Sequence, residues 1–522
     1  MSKTPLILAL DSGTSMVKAV AFDADGEIVA QTRRSNVYVS RRDGAVEQDM
    51  RATWRDACAV LGELVPRLEG HEIAALAVTG QGDGTWLIDA ENHPVAPAWL
   101  WLDARAAAIV EEKRGDGSAR AAFTYTGTGL AACQQAPQLA WMQRHAPQVL
   151  ARAACAIHCK DWLYLNLTGV RATDPSEGCF TFGDWRARLY RHEVLRALGL
   201  VDCRHLLPDI VDGTTTHHAL SRASAAATGL PQGLPVVLGF VDVVCSALGA
   251  GAYGTGSEVG VTILGSTGMH LRLVTDNARV TLSPRMTGYC MIFPVPSCTL
   301  QAQSNMAATL NMDWLADLAR DAAALSGAAP KSRVELLRAF DPAVAAARPG
   351  SVVFHPFISS SGERGPFTDA FARAGMLGID QTVTLAGLAR GVYEGVGLAA
   401  RDCYTAAGGI PREVRVTGGA ARAAPMRAIL SACLGCPVRT VARQETGAAG
   451  AAMIAAVCVG LFSDMAACAD RWVKPLLGAQ EMPEPALASF YDALFPIYQD
   501  GYAMMPSLWR RLHAVREAGH VA

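Results

Sequence analysis

A short glycine–hydroxyl turn joining two apolar runs occurs twice in this chain. Near the start, residues 6–10 and 17–22 flank Asp11-Ser12-Gly13-Thr14-Ser15. Past the middle, residues 258–264 and 269–274 flank Gly265-Ser266-Thr267-Gly268. Apolar runs of this length bounded by turn residues predict strands, so each segment predicts a hairpin. Glycine at the tip lets backbone amides face an anion, and the hydroxyls add donors. The recurrence is not the short period of a solenoid. It predicts two similar domains with a cleft between them, in which one anionic ligand takes a loop from either side. The 522 residues exceed the roughly 250–300 at which one core stops growing. The expected domains are residues 1–250 and 251–522.

The rest of the chain reads as α/β. Residues 27–32 return as a third strand after the turn Asp23-Ala24-Asp25-Gly26, and 47–65 carry helical apolar spacing. Residues 75–78 form a buried strand ending at Thr79-Gly80, and 86–88 are expected to continue its sheet. Residues 104–230 read as helical and loop-rich. An apolar strand over 235–240 ends at Asp242, and an Ala- and Gly-rich helix follows. Helices are expected over 315–350 and strands over 352–358, 413–417 and 438–441, with about the last 50 residues helical.

Composition excludes several function classes. Hydrophobic residues are 51% and charged residues 18%, enough for two cores, and a net charge of −2 gives nucleic acid no basic face. No export signal is read: Asp11 interrupts the first apolar run. The apolar stretch over 451–462 is shorter than the roughly 20 residues that span a bilayer. The 14 cysteines are scattered singly, which predicts reduced thiols in a cytoplasm. The Cys433-x-x-Cys436 spacing has no partner pair and reads as structural, as do His158, His217 and His218. Lys160-Asp161 reads as a fold-supporting pair.

Two further features carry chemistry. In Val416-Thr417-Gly418-Gly419-Ala420-Ala421-Arg422 a strand runs into two glycines before a helix, which lets a purine or phosphate approach the backbone. Asp242 follows an apolar strand, so it either caps the next helix or faces the cleft as a general base. Asp11 cannot bind phosphate directly, but it can hold a Mg²⁺ ion that does.

These segments, in this order, resemble the FGGY family of carbohydrate kinases. The other matching pieces are Glu47-Gln48-Asp49, Thr79-Gly80-Gln81, Trp101-Leu102-Asp103-Ala104-Arg105, Lys160-Asp161, Gly239-Phe240-Val241-Asp242 and Gly362-Glu363-Arg364-Gly365-Pro366. The resemblance runs from Leu6 to about Leu461. It implies a two-domain fold of the actin, heat-shock-protein and hexokinase type (ribonuclease H-like), with ATP on the second domain and a polyol on the first. One departure is Gly387, where an acidic or amide residue is usual; it reads as a helix-surface change.

The resemblance implies a role for each matched residue. Asp242 is the expected catalytic base, and Asp11 and Asp242 the metal-linked carboxylates. Asp11, Gly13, Thr14, Ser15, Lys18, Gly265, Ser266 and Thr267 would hold the phosphates of ATP with Mg²⁺, and Gly418, Gly419 and Ala420 the adenosine. Gln81, Gly82, Asp83, Trp101 and Asp103, with Asp242, would line the polyol pocket. Asp103 with Arg105 reads equally as a structural ion pair. Gly82-Asp83 stands where xylulokinases have Met-His and glycerol kinases Arg-Glu. The segments around 80–86, 99–106 and 127–135 look most like erythritol kinases, which implies phosphorylation of a terminal hydroxyl of erythritol. L-xylulose kinases share the Gly-Gln-Gly opening and give the alternative of a pentulose or pentitol. A sugar sensor on the same fold and an actin- or chaperone-like nucleotide machine are the other classes weighed. Retained Asp242 speaks against the sensor, and the polyol-pocket segments against the machine. No nucleic-acid or membrane partner is expected; a homodimer is left open.

Overall fold

The computed structural model describes residues 5–254, 258–329 and 331–519. Its frame is two six-stranded mixed sheets. In the first, Leu6–Ser12, Met16–Phe22 and Ile28–Ser35 form an antiparallel meander, and Ile73–Gly80 and Pro235–Leu238 add in parallel beside Leu6–Ser12. In the second, Val259–Leu264, Gly268–Val274 and Thr299–Asn305 form the meander, and Glu413–Thr417 and Val438–Thr440 add in parallel beside Val259–Leu264. The echo between the two hairpins is therefore the repetition of a whole sheet plan. Leu6 to Leu10 are buried on both faces, as befits a central strand with an antiparallel partner on one side and a parallel one on the other.

One expectation is corrected. Trp86–Ile88 does not continue the first sheet; it pairs with Cys155–Ile157 in a separate ladder. The strand expected over 352–358 is present as Val353–His355, which among the described residues pairs with Gly375–Leu377 outside both main sheets. Both runs are apolar because they are buried, and burial alone does not name a partner. The strand Thr299–Asn305 was not expected, because its buried Gln301, Gln303 and Asn305 hide the apolar pattern.

After each sheet's last parallel strand comes one of two crossing helices, Asp242–Gly249 and Thr446–Cys458. Thr446–Cys458 is buried from Gly447 to Ala456. It shares a core with Ile7, Ala9, Ala77 and Val237 of the first sheet, so a segment from late in the chain closes the core begun at the start. The crossing is close. A Cβ on Gly450 would collide with the carbonyl oxygen of Cys245, and one on Gly249 with that of Thr446. Gly450→Ala is expected to lower stability by about 1–3 kcal/mol through overpacking. Denaturant midpoints measure this; an unchanged midpoint would show that the helices separate freely. Among the described residues no helix is long and apolar enough to cross a membrane.

Candidate functional site

Between the two sheets lies a cavity of about 240 Å³. Thr14, Gln81, Gly82, Asp83, Trp101, Phe180 and Asp242 line it from the N-terminal domain. Thr267, Met269, Tyr289, Met291, Ser304 and Arg364 line it from the C-terminal domain.

The strand Ile73–Gly80 delivers Gln81, Gly82 and Asp83 to this cavity. Gly82 lies against Val241 and Glu177 with no room for a side chain. Asp83 turns the chain at φ 56°, a left-handed conformation that Asp tolerates better than most residues. Its amide donates to Glu177 Oε1 at 2.7 Å. Its Oδ2 accepts from the Tyr289 hydroxyl at 2.7 Å and the Cys133 thiol at 3.3 Å. Its Oδ1 is buried with no partner. Burial pushes the Asp83 carboxyl up, against the pull of those hydrogen bonds and of Arg364. Next to it, Trp101 Nε1 donates to Thr14 Oγ1 at 2.7 Å, and Thr14 Oγ1 donates to Gln81 Oε1 at 3.1 Å. The first glycine–hydroxyl loop is thus tied to the cavity wall.

Asp242 opens its helix rather than capping it; the cap position is Val241. Burial pushes the Asp242 carboxyl up to about 8, and the charges of Asp11, Glu177 and Asp83 push the same way, against the Val243 amide. Asp11 is pushed up to about 6 by burial and by Glu445, with Lys18 opposing. Lys18 itself is engaged by Glu445 at 2.7 Å across the domains. Two half-buried carboxylates, of which Asp11 raises the proton affinity of Asp242, with their nearby lysine already paired, are a hard-oxygen donor set that fits a divalent cation.

The remaining loops border the same cleft. Ser266 and Thr267 are exposed at the tip of the second hairpin. The Gly265 and Ser266 carbonyls accept from the Thr309 and Ala308 amides at 2.9 and 2.8 Å, which fixes the loop. Thr417 pairs in parallel with Ile263, so Gly418 and Gly419 emerge beside Gly265. Gly418 is at φ 97°, where a Cβ would meet the Leu264 backbone, and Gly419 faces open space. Ala420 begins the short helical turn that follows.

Asp103 is not brought to the cavity. Its Oδ2 accepts from the Val46 amide at 2.8 Å and from Arg105 at 2.6 Å, and Arg105 also reaches Glu47 at 2.9 Å. The ion-pair alternative describes its surroundings.

Several lining residues went unforeseen. Phe180 and Tyr289 sit 5.3 Å apart, edge to face, where the edge strand Tyr289–Ile292 meets the helix Pro175–Phe182. Nothing local in the sequence signals that meeting. Arg364 stood in the quoted Gly362-to-Pro366 motif without a role. The Lys160-Asp161 pair proves larger than expected. The Lys160 ammonium is fully buried among Asp161, Asp174 and Glu177 at 2.7, 2.9 and 2.6 Å, and His158 joins through Asp161 at 3.2 Å. His158, Asp161 and Glu177 have the spacing of a metal site, but the ammonium already supplies the positive charge there.

Comparison with known proteins agrees over the whole chain. The N-terminal domain of the FGGY family of carbohydrate kinases matches residues 6–249, and its C-terminal domain matches 260–459. The chain is 48% identical to the erythritol kinase of Brucella abortus (strain 2308), over 98% of both chains. It is 25% identical to the L-xylulose/3-keto-L-gulonate kinase of Escherichia coli (strain K12), over 97% of this chain and 98% of that one. The crystal structure of gluconate kinase from Lactobacillus acidophilus superposes with a TM-score of 0.88 at 21% identity, covering 97% of this chain and 99% of that one.

Proposed function

Because this chain belongs to the FGGY family of carbohydrate kinases, we propose that it transfers the terminal phosphoryl group of ATP to a terminal hydroxyl of erythritol. The observation that carries this reading is one small cavity lined by both Asp83, whose Oδ1 is buried without a partner, and the half-buried acid Asp242. The 48% identity to an erythritol kinase supports the choice of polyol. The 14 unpaired thiols fit a reducing, cytoplasmic setting.

Phosphoryl transfer needs alignment, charge neutralisation and a proton acceptor more than covalent work. Asp83 Oδ1 accepts from a hydroxyl at one end of the polyol, and Trp101 and Phe180 flank its carbon chain. Asp242 takes the proton from the hydroxyl at the other end. Without nucleotide, at neutral pH, it holds a proton, so it serves as a base only once positive charge enters with the nucleotide. Asp11 and Asp242 are the residues that would hold Mg²⁺, which when bound neutralises phosphate charge. Thr14, Ser15, Ser266 and Thr267 offer hydroxyls to the phosphates, and Gly418 to Ala420 an open backbone to the adenosine.

The test is a comparison of kcat/KM for erythritol, threitol, L-xylulose, D-xylulose and glycerol with ATP and Mg²⁺. Erythritol is expected to be highest, and chelation of the metal to abolish turnover. A win for L-xylulose would sink the erythritol assignment and leave the kinase; full activity in chelator would remove the metal.

A further inference from the structure

Glu177 is not on the cavity wall, yet it holds the backbone of Asp83. Its Oε1 accepts the Asp83 amide at 2.7 Å and lies beside Gly82; its Oε2 accepts from Lys160 at 2.6 Å. Glu177 sits in the first turn of the helix Pro175–Phe182, whose cap Asp174 accepts the Glu177 amide at 3.3 Å. Lys160 is held in turn by Asp161 and Asp174. One carboxylate therefore bridges a buried ammonium to the backbone of a residue in a left-handed turn. A lone Asp at φ 56° between two glycines has no local reason to keep one orientation. Tyr289 and Cys133 hold its Oδ2, and the bridge holds its backbone.

We infer that Glu177, anchored by Lys160, is a positioning residue for polyol specificity: it fixes the Asp83 turn so that Oδ1 faces the substrate hydroxyl distal to the one phosphorylated. This rests on Asp83 reading a polyol hydroxyl, as proposed above. Glu177 accepts from the Asp83 amide and the Lys160 ammonium, with His158 Nε2 a further 3.8 Å from Oε1, so both of its oxygens must accept. A glutamine presents one acceptor and one donor, and either orientation sets an N–H against the Lys160 ammonium or the Asp83 amide. An aspartate keeps the charge opposite Lys160 but is one methylene too short to bridge both donors. A displacement of about 1 Å in a positioning contact can cost on the order of 10²-fold in rate.

The experiment measures the ratio of kcat/KM for erythritol to that for a stereochemically matched butane-1,2,3-triol, which keeps the acceptor hydroxyl and lacks the distal one. Glu177→Gln and Glu177→Asp are both expected to lower this ratio by about tenfold or more, mainly through KM for erythritol, with KM for ATP unchanged. Added to Asp83→Asn, Glu177→Gln should change the ratio no further. Glu177→Asp retains the charge balance around Lys160 and serves if the glutamine variant does not fold. A folded variant whose ratio matches the parent protein's, or whose loss falls equally on both substrates, overturns the inference. If the parent protein prefers another polyol, the ratio is read with that polyol and its deoxy analogue. The choice of substrate and the role of Glu177 then stand or fall separately.

Discussion

Asp242→Asn is expected to fold and to bind ATP, and to lose about 10²–10⁴-fold in kcat, the usual loss on removal of a general base. The amide has nearly the shape of the acid and keeps the start of the helix Asp242–Gly249, so its effect is chemical. The same substitution should stabilise the protein in one direction of pH. The Asp242 carboxyl is held at about 8 when folded, against about 3.9 in an unfolded chain. A raised carboxyl binds its proton more tightly in the native state. That contribution is complete below the unfolded value and is lost as pH rises through the folded one. The wild-type protein must therefore ionise this acid beside Asp11, Glu177 and Asp83 as the solution becomes alkaline, whereas asparagine has no proton to lose. Denaturation midpoints of the variant should gain on those of the parent between about pH 4 and 8 and hold that gain above. Rates of ADP formation, nucleotide affinity and midpoints across pH measure all three. Near-normal turnover would remove Asp242 from the mechanism; a gain over the parent no larger at alkaline than at acid pH would remove the raised acid.

How much of this was legible in the sequence depends on the range of the interaction. The glycine–hydroxyl loops were readable because hairpin, turn and anion chemistry all sit within a few residues. The place of Asp242 on the cavity wall was readable because a strand ending at an acid is local. Tyr289 was not, because its hydroxyl reaches Asp83 only after the edge of the second sheet packs on the helix Pro175–Phe182. Lys160 was read as half of a pair, since Asp174 and Glu177 reach it only when that helix folds back on it. Asp103 shows the opposite error. It stands in a matching motif, but its neighbour Arg105 and the Val46 amide occupy its oxygens. A motif places a residue near a pocket; the partners that compete for its atoms decide whether it faces in.

At Asp83 that competition leaves one oxygen over. Tyr289 and Cys133 take one oxygen and nothing takes the other. A buried polar atom left without a partner is costly unless a ligand completes it, and a polyol hydroxyl is a fitting donor. Asp83→Ala should therefore weaken use of erythritol while leaving KM for ATP almost unchanged. A hydrogen bond to a charged group contributes about 1.5–3 kcal/mol, so kcat/KM should fall by about 10–100-fold. Alanine also bears about 1–2 kcal/mol of strain in the left-handed turn, so Asp83→Asn, which tolerates that conformation, separates the backbone effect from the lost charge. Glycerol provides the internal control. It is one carbon shorter and lacks the distal hydroxyl, so its low efficiency should change little in either variant. The ratio of erythritol to glycerol efficiency should then collapse toward unity. If erythritol and glycerol lose equally, Asp83 merely shapes the cavity and reads no hydroxyl, and the discrimination must come from Trp101, Tyr289 and the other walls.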